Sequence, residues 1–296
     1  MHFNQTIVSK LSPITDEITK EAGVSLELLR EDEIHPVVSG NKFRKIKYNI
    51  LQVLELGLAG IITYGGPHSN HIAATAVACQ MAGVKCRGFI RKGFGGLTTT
   101  PTLKTALAAG MLIEMLENDT FASKKKDTMI DEESYLYIPE GGANELGVKG
   151  CEEIITAIPP KTNVVMISCG TGSTLAGVLK ASKESQHIIG VNVLKAPGMI
   201  EKEVIKWTAK ENYHILDQYH FGGYAKANDE LITFITWFYQ THGIMLDMVY
   251  TGKMMFALYQ EMKMGTIRDK KVVAIHTGGL QGNEAMEKRY GVELFK

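Results

Sequence analysis

The sequence predicts an α/β protein whose sheets are mainly parallel. Short apolar runs alternate along the chain with stretches of helical periodicity, the pattern of strands that alternate with helices. One run, residues 164–167, is continuously apolar, as expected for a parallel strand that is buried on both faces. At 296 residues the chain suits two domains or one large α/β unit.

The composition favours a small-molecule partner. Lys plus Arg and Asp plus Glu each number 32, so no net field attracts nucleic acid or a membrane surface. The four cysteines show no C-x-x-C spacing and three of them lie in apolar runs, which indicates a reduced, cytoplasmic setting. No metal site is expected. No signal-peptide pattern opens the chain and no apolar run reaches the ~20 residues of a spanning helix, so we expect a soluble protein.

The first elements form a repeating unit of strand, loop and helix. Residues 22–30 alternate between the two faces of a predicted strand. Apolar residues then recur every three or four positions over residues 42–56, which predicts a helix ended by Gly57. Residues 60–64 read as a short buried strand, and residues 65–70 as its glycine-rich loop into an alanine-rich helix.

The same unit repeats along the rest of the chain. Further strands are predicted at residues 84–90, 111–116, 135–139, 164–167, 187–193, 213–216 and 271–275. Further helices are predicted at residues 100–109, 121–133, 145–158, 173–183, 228–242, 252–265 and 280–289, and near 200–210. Lys124, Lys125 and Lys126 are interpreted as a solvated face. Pro159 and Pro160 mark a linker, where we expect the chain to cross between domains.

The stretch at residues 39–45, Ser-Gly-Asn-Lys-Phe-Arg-Lys, places three cations at a predicted helix N-terminus. Lys42, Arg44 and Lys45 there cost up to ~1 kcal/mol each unless an anion is bound. A solvated basic turn is the simpler interpretation of such a run taken alone.

A second stretch, residues 168–174, has the features of a phosphate-binding loop. Gly170 and Gly172 allow close approach of the backbone, and Ser173 and Thr174 can donate hydroxyl hydrogen bonds at a helix start. An ordinary turn between strand and helix is the alternative. Leu175 occupies the place of the third dinucleotide-binding glycine, which argues against NAD. A lysine amine together with a phosphate loop suggests pyridoxal phosphate.

Five motifs occur in a familiar order. They are Ser-Gly-Asn-Lys-Phe-Arg-Lys at 39–45, Gly-Gly-Pro-His-Ser-Asn-His at 65–71, Gly-Thr-Gly-Ser-Thr at 170–174, Leu-Asp-Met-Val-Tyr-Thr-Gly-Lys at 246–253 and His-Thr-Gly-Gly at 276–279. Over nearly its whole length the chain resembles the D-cysteine desulfhydrase and 1-aminocyclopropane-1-carboxylate (ACC) deaminase family.

The resemblance implies a fold-type II, tryptophan synthase beta-like pyridoxal-phosphate enzyme that releases ammonia from a small amino acid. Its expected architecture is a two-domain, three-layer α/β/α fold, mainly of parallel sheets, with the cofactor in the interdomain cleft. We expect residues 45–155 to form the small domain, and residues 1–44 with 156–296 to form the large one. A homodimer is also expected.

The resemblance also assigns roles to individual residues. Lys42 would carry the cofactor as a Schiff base and shuttle protons, with Ser69, Tyr224 and Tyr250 assisting catalysis. Other expected cofactor-binding residues are Lys45, Asn70, Gly170, Thr171, Gly172, Ser173, Thr174, Thr251 and Thr277. Ser69, Asn70 and His71 would bind the substrate carboxylate. His71 replaces the family's usual Gln and Ala225 its usual Gly, and His276 is interpreted as structural.

The residues alone leave simpler interpretations open. Ser69 would serve equally as a plain helix N-cap, and Tyr224 and Tyr250 as core or interface aromatics. A pyridoxal-phosphate-binding or nucleotide-binding protein without catalysis is the alternative of a different class, but binding alone requires neither the Ser69 hydroxyl nor the phenols.

Thr251 and Thr277 favour one substrate. In the family that this chain resembles, ACC deaminases carry Glu at the position of Thr251 and Leu at the position of Thr277. A carboxylate keeps the cofactor's pyridine nitrogen protonated, whereas a threonine hydroxyl only hydrogen-bonds to it. The weaker electron sink suits departure of a thiolate, so we predict D-cysteine desulfhydrase activity, with ACC deaminase activity as the alternative.

Overall fold

The computed structural model describes residues 3–5, 7–92, 100–124 and 134–296. Over these ranges, strands and helices alternate. The strands are β1 (Leu11–Ile14), β2 (Ser25–Leu29), β3 (Gly60–Gly65), β4 (Lys85–Arg91), β5 (Leu112–Leu116), β6 (Tyr135–Ile138), β7 (Val164–Cys169), β8 (His187–Asn192), β9 (Tyr213–Leu216) and β10 (Lys271–Ile275). The α-helices are α1 (Glu17–Glu21), α2 (Asn41–Glu55), α3 (Asn70–Ala82), α4 (Pro101–Ala108), α5 (Asn118–Lys124), α6 (Glu145–Glu152), α7 (Ser173–Ala181), α8 (Met199–Val204), α9 (Asp229–His242), α10 (Thr251–Lys263) and α11 (Asn283–Tyr290).

The strands form two sheets. The larger has the order β1-β2-β10-β7-β8-β9, and its neighbours are parallel except for β1 and β2. The smaller has the order β5-β4-β3-β6 and all its neighbours are parallel. The predicted α/β class with mainly parallel sheets is therefore confirmed.

Helices cover the larger sheet on both faces. Met166 and Ala274 pack into a core that also contains apolar residues of α9 and α10. Ile167 and Ile275, their neighbours along β7 and β10, pack into a second core with α7 and α8. Successive strand residues point to opposite faces, so this sheet is the middle of three layers.

The smaller sheet is also apolar on both faces. Ile61 and Ile90 pack into a core with apolar residues of α2, α3 and α4. On the other face, Tyr64 and Phe89 pack with Phe121 of α5.

Helix α2 is held at its N-terminus by a close backbone contact. Gly40, which precedes it, has a φ of 62°, and a Cβ there would lie 1.9 Å from the carbonyl oxygen of Thr277. A second contact holds the end of the first turn, since a Cβ on Gly150 of α6 would lie 1.8 Å from the Arg44 carbonyl oxygen. Glycine is therefore required at both places, and the first turn of α2 lies against the loop after β10.

Several elements differ from the sequence prediction, among them helix α1, which was not predicted. Strand β1 was not predicted, because Pro13 interrupts it; proline is tolerated there since β1 is an edge strand. The predicted helix at 145–158 is α-helical only to Glu152 and continues as a 3-10 helix over Glu153–Ala157. That segment contains the β-branched run Ile154, Ile155 and Thr156, which lowers α-helix propensity.

The predicted polar helix at 121–133 begins earlier, as α5 at Asn118. Residues 125–133, with Lys125 and Lys126, lie outside the described residues. Among the helices that the structure does describe, none is long and apolar enough to cross a membrane.

Candidate active site

A cavity of about 540 Å³ lies beyond the carboxyl ends of β3, β7 and β10. Strand ends of parallel sheets are the usual place for ligand-binding groups. Most of the predicted site residues line this one cavity: Lys42, Lys45, Ser69, Asn70, His71, Gly170, Thr171, Gly172, Thr174, Tyr224, Tyr250 and Thr277. Ser173 and Thr251 lie behind the cavity wall and are both buried.

Lys42 lies in the first turn of α2, and its amine donates a hydrogen bond of 3.2 Å to Asn41 Oδ1. Removal from bulk water, and next the positive charge of Lys45, lower the pKa of Lys42 to about 7. A large fraction of the amine is therefore neutral near neutral pH and able to act as a nucleophile.

Lys45 joins the start of α2 to the phosphate-binding loop. Its ammonium donates to the Gly141 carbonyl oxygen at 3.0 Å and to Ser173 Oγ at 2.8 Å. One turn earlier, Asn41 Nδ2 donates to Thr174 Oγ1 at 2.9 Å. Burial lowers the pKa of Lys45, so an anion in the cavity would favour its charged form. Ser173 therefore acts on this cavity through Lys45.

Gly172 gives the loop before α7 its shape. It is the N-cap of α7 with a φ of 89°, and a Cβ there would contact Ile200 and Glu203 of α8 at 3.3–3.4 Å. At Gly170, a Cβ would lie 3.3 Å from the Tyr250 ring. The unpaired N–H groups of a helix start attract an anion, and the glycines leave room for one.

Ser69 is the N-cap of α3, but its hydroxyl makes no capping hydrogen bond to the described backbone. This leaves the hydroxyl available to a ligand, so a purely structural N-cap role for Ser69 is not what the structure shows.

The His71 imidazole is held within the protein. The Thr63 hydroxyl donates to the Ile138 carbonyl oxygen at 3.0 Å, so His71 Nε2 must carry the proton donated to Thr63 Oγ1 at 2.8 Å. Burial, and next the charges of Lys42 and Lys45, hold the pKa of His71 well below its usual value. The imidazole is therefore neutral.

Tyr224 and Tyr250 contact each other edge to face in the cavity wall. Their rings are 6.1 Å apart at an angle of 68°, and the Tyr224 side chain is half exposed. Burial raises the pKa of both phenols, that of Tyr250 strongly. Both therefore stay protonated and can donate a proton or a hydrogen bond. A buried carboxylate, Asp247, fixes Tyr250 by accepting its backbone N–H at 2.7 Å.

The two threonines occupy different places. Thr277 lines the cavity, and its hydroxyl oxygen lies 3.2 Å from that of Ser168 on β7. Thr251 is fully buried, and its hydroxyl has no hydrogen-bond partner within the described part of the chain.

These residues fit pyridoxal phosphate. Asn70 lines the cavity, and its side-chain oxygen is buried without a partner among the described residues; such an orphaned polar atom indicates a missing ligand group. Lys42 supplies an amine of lowered pKa, while Lys45 and the start of α7 supply positive potential for the phosphate. The donor set thus matches an aldehyde at one end and an anion at the other.

The sequence interpretation missed several cavity residues, and two of them, Arg91 and Glu140, are charged. Arg91 is the last residue of β4, and its guanidinium lies 4.0 Å from the Glu140 carboxylate, just beyond β6. Both line the cavity. The signal that could have found them is their position at strand ends.

Comparison with known proteins bears on the family and the fold. Residues 8–278 match the family described as pyridoxal-phosphate dependent enzyme. A Thermotoga maritima protein that carries ACC deaminase as a provisional name is 28% identical over 92% of this chain and 94% of its own length. D-cysteine desulfhydrase of Salmonella schwarzengrund is 27% identical over 85% of this chain and 86% of its own.

A solved structure described as an ACC deaminase homologue superposes with a TM-score of 0.78, at 24% identity, over 95% of this chain and 94% of its own. That likeness extends to the fold as a whole. Because the family match spans nearly the entire sequence, this chain belongs to the pyridoxal-phosphate dependent enzyme family.

Proposed function

We propose that this enzyme is a deaminating lyase whose preferred substrate is D-cysteine, which it converts with one water molecule to pyruvate, ammonia and hydrogen sulfide. The observation that carries the choice of substrate is the hydroxyl pair of Ser168 and Thr277, 3.2 Å apart in the cavity wall. A hydroxyl at this place would hydrogen-bond to the pyridine nitrogen of the cofactor without protonating it fully. Loss of a thiolate from the β carbon tolerates that weaker electron sink better than opening of a cyclopropane ring does.

Bound pyridoxal phosphate supplies an electron-withdrawing ring that weakens the bonds to the substrate's α carbon. Lys42 would hold the cofactor covalently, and its amine, with a pKa of about 7, is suited to take the α proton. Lys45, Thr171 and Thr174 would hold the phosphate together with the backbone N–H groups at the start of α7.

The substrate carboxylate would lie at the start of α3, against the backbone N–H groups there and the Ser69 hydroxyl, which caps no described backbone N–H group. The Tyr224 and Tyr250 phenols keep their protons because burial raises the pKa of each. They are therefore suited to donate a hydrogen bond to the departing sulfur rather than to act as bases.

The test is turnover of a panel of D-cysteine, ACC, D-serine and L-serine by the purified, cofactor-loaded protein. Both 2-oxoacid and sulfide are measured, and Lys42→Ala is the blank. We expect sulfide and pyruvate from D-cysteine in equal amounts, with slow or absent turnover of ACC. Efficient formation of 2-oxobutyrate from ACC with no sulfide from D-cysteine would replace this proposal by ACC deaminase.

We also propose that residues 45–155 form a small domain, that residues 1–44 and 156–296 form a large one, and that two chains associate as a homodimer. The strands of the smaller sheet all lie within the first range and those of the larger sheet within the second, which supports the division. Light scattering coupled to gel filtration tests the dimer, and limited proteolysis followed by mass spectrometry tests the boundary.

A further inference from the structure

The segment that carries Tyr224 has an unusual backbone. Phe221, Gly222, Gly223 and Ala225 have φ values of 53°, 92°, 119° and 51°. A left-handed conformation is unfavourable for a residue with a side chain, so Phe221 and Ala225 need support from outside the segment. This segment, residues 220–226, is called the Tyr224 loop below.

Lys253 provides two contacts to the Tyr224 loop. Its side chain is fully buried, and its ammonium donates to the carbonyl oxygens of His220 and Gly223, each at 2.8 Å. The same two oxygens accept backbone N–H groups within the loop, from Gly223 at 3.0 Å and from Lys226 at 3.2 Å. One ammonium thus joins two successive turns, the second of which encloses Tyr224.

The position of Lys253 is unfavourable for stability alone. It lies in the first turn of α10, where the helix dipole disfavours a cation, and burial lowers its pKa to about 8. The nearby Asp247 carboxylate offsets part of this cost, although it already accepts backbone N–H groups from Val249, Tyr250 and Thr251. An apolar side chain would fill the same place without burying a charge.

We propose that Lys253 is a positioning residue for Tyr224, holding the Tyr224 loop so that the phenol lies against the cavity. Tyr250 immediately precedes α10, so the start of this helix positions both phenols, one through its own backbone and the other through Lys253. The inference rests on the proposed function, in which Tyr224 acts on the substrate.

The first test is hydrogen exchange of the cofactor-loaded protein, followed by mass spectrometry, with Lys253→Met compared with wild type. We expect exchange in the Tyr224 loop to be at least about tenfold faster, because each turn loses a buried hydrogen bond from outside the loop. Peptides from β8 should be unchanged. Lys263→Met, an exposed lysine in the last turn of the same helix, is the matched control. If Lys253→Met fails to fold, Lys253→Leu, which also lacks a donor, serves instead, with the same expected result.

The second test is kinetic and separates positioning from general stability. Lys253→Met should lower kcat at least about tenfold while KM and cofactor affinity stay within about threefold, since only the placement of Tyr224 changes. In a Tyr224→Phe background the same substitution should have no further effect on kcat. The substrate is whichever member of the panel wild type converts fastest.

Unchanged exchange in the Tyr224 loop, or exchange raised equally throughout the molecule, would overturn the role of Lys253. So would an equal loss of kcat in the Tyr224→Phe background. If wild type converts no member of the panel, the proposed function fails, and the exchange experiment still decides whether Lys253 holds the loop.

Discussion

The Lys45 ammonium lies 2.8 Å from Ser173 Oγ and joins the helix that carries Lys42 to the helix that begins at the phosphate-binding loop. Its other acceptor, the Gly141 carbonyl oxygen, belongs to the connection after β6. Three segments distant in sequence therefore meet at one cation. Since burial lowers the pKa of Lys45, a phosphate nearby would stabilise its charged form.

Replacing this cation should weaken cofactor binding. We expect Lys45→Met to raise the dissociation constant of pyridoxal phosphate at least about tenfold, because a charge-assisted hydrogen bond contributes about 1.5–3 kcal/mol. Titration of the cofactor-free protein by fluorescence measures this. Lys47→Met is the matched control, since Lys47 is a buried lysine of the same helix that bonds Glu153 instead. Equal losses in both variants would contradict a role specific to Lys45.

Covalent attachment should map to a single lysine. Borohydride reduction of the yellow holoenzyme is expected to fix the cofactor on Lys42, which peptide mapping identifies. Arg44 cannot substitute because its guanidinium stays protonated and is bonded to Glu31 and Glu153. A label on Lys45 or Lys47 would show that the first turn of α2 has been interpreted wrongly.

The pH dependence of attachment should reveal the lowered pKa of Lys42. Only the neutral amine is nucleophilic, so the attachment rate should rise about tenfold per pH unit below about 7 and level off above it. An ordinary lysine would keep gaining to above pH 10. Stopped-flow absorbance of cofactor-free protein measures the rate, with N-acetyl-lysine as the reference for titration of the cofactor itself. A rate still rising tenfold between pH 8 and 9 would exclude the lowered pKa.

How far the sequence predicted this site depended on where each residue lies. Lys42 and Gly172 belong to contiguous motifs, and both occur at helix starts, which local patterns identify. Arg91 ends β4 and Glu140 follows β6. These two residues approach each other because both strands pair with β3 in the sheet. Strand order is a property of tertiary packing that local sequence patterns do not reveal.

The same limit applies to Lys253. Lys253 belongs to a motif that was identified from the sequence. Its partners, the carbonyl oxygens of His220 and Gly223, precede α9 and lie 33 and 30 residues earlier in the chain. Backbone acceptors have no side-chain signature, so periodicity and composition could not indicate them. Pro13 is the converse case. The rule that proline disfavours a strand is correct for central strands, but β1 contains a proline because it is an edge strand.

The backbone of the phosphate-binding loop should not tolerate a branched side chain. Gly172→Val forces a left-handed φ on a β-branched residue and places its Cβ against α8. We expect cofactor affinity to fall at least about tenfold, through loss of one or more charge-assisted hydrogen bonds. Equilibrium dialysis measures the affinity. Gly83→Val is the control, since Gly83 also has a left-handed φ, of 71°, but ends α3 in open space. Unchanged affinity in Gly172→Val would place the phosphate elsewhere.

The last prediction concerns His71, which occupies the position where the family that this chain resembles usually has Gln. Its imidazole is 1% exposed and donates from Nε2 to the Thr63 hydroxyl. A side chain held in this way has no second donor for a substrate carboxylate, because the neutral ring carries a single N–H. Any contact from this position to the carboxylate should therefore come from the backbone at the start of α3.

We accordingly expect His71→Gln to keep KM for the amino-acid substrate within about threefold of wild type, since the Gln amide can still donate to Thr63. Ser69→Ala, in the same loop, should raise KM or lower kcat at least about tenfold, because the free hydroxyl is lost from the cavity. Steady-state kinetics on the best panel substrate compares the two. The pH dependence of kcat/KM should be the same in wild type and in His71→Gln, because the low pKa keeps the imidazole neutral. A tenfold rise of KM in His71→Gln, with cofactor content unchanged, would show that the imidazole itself contacts the substrate.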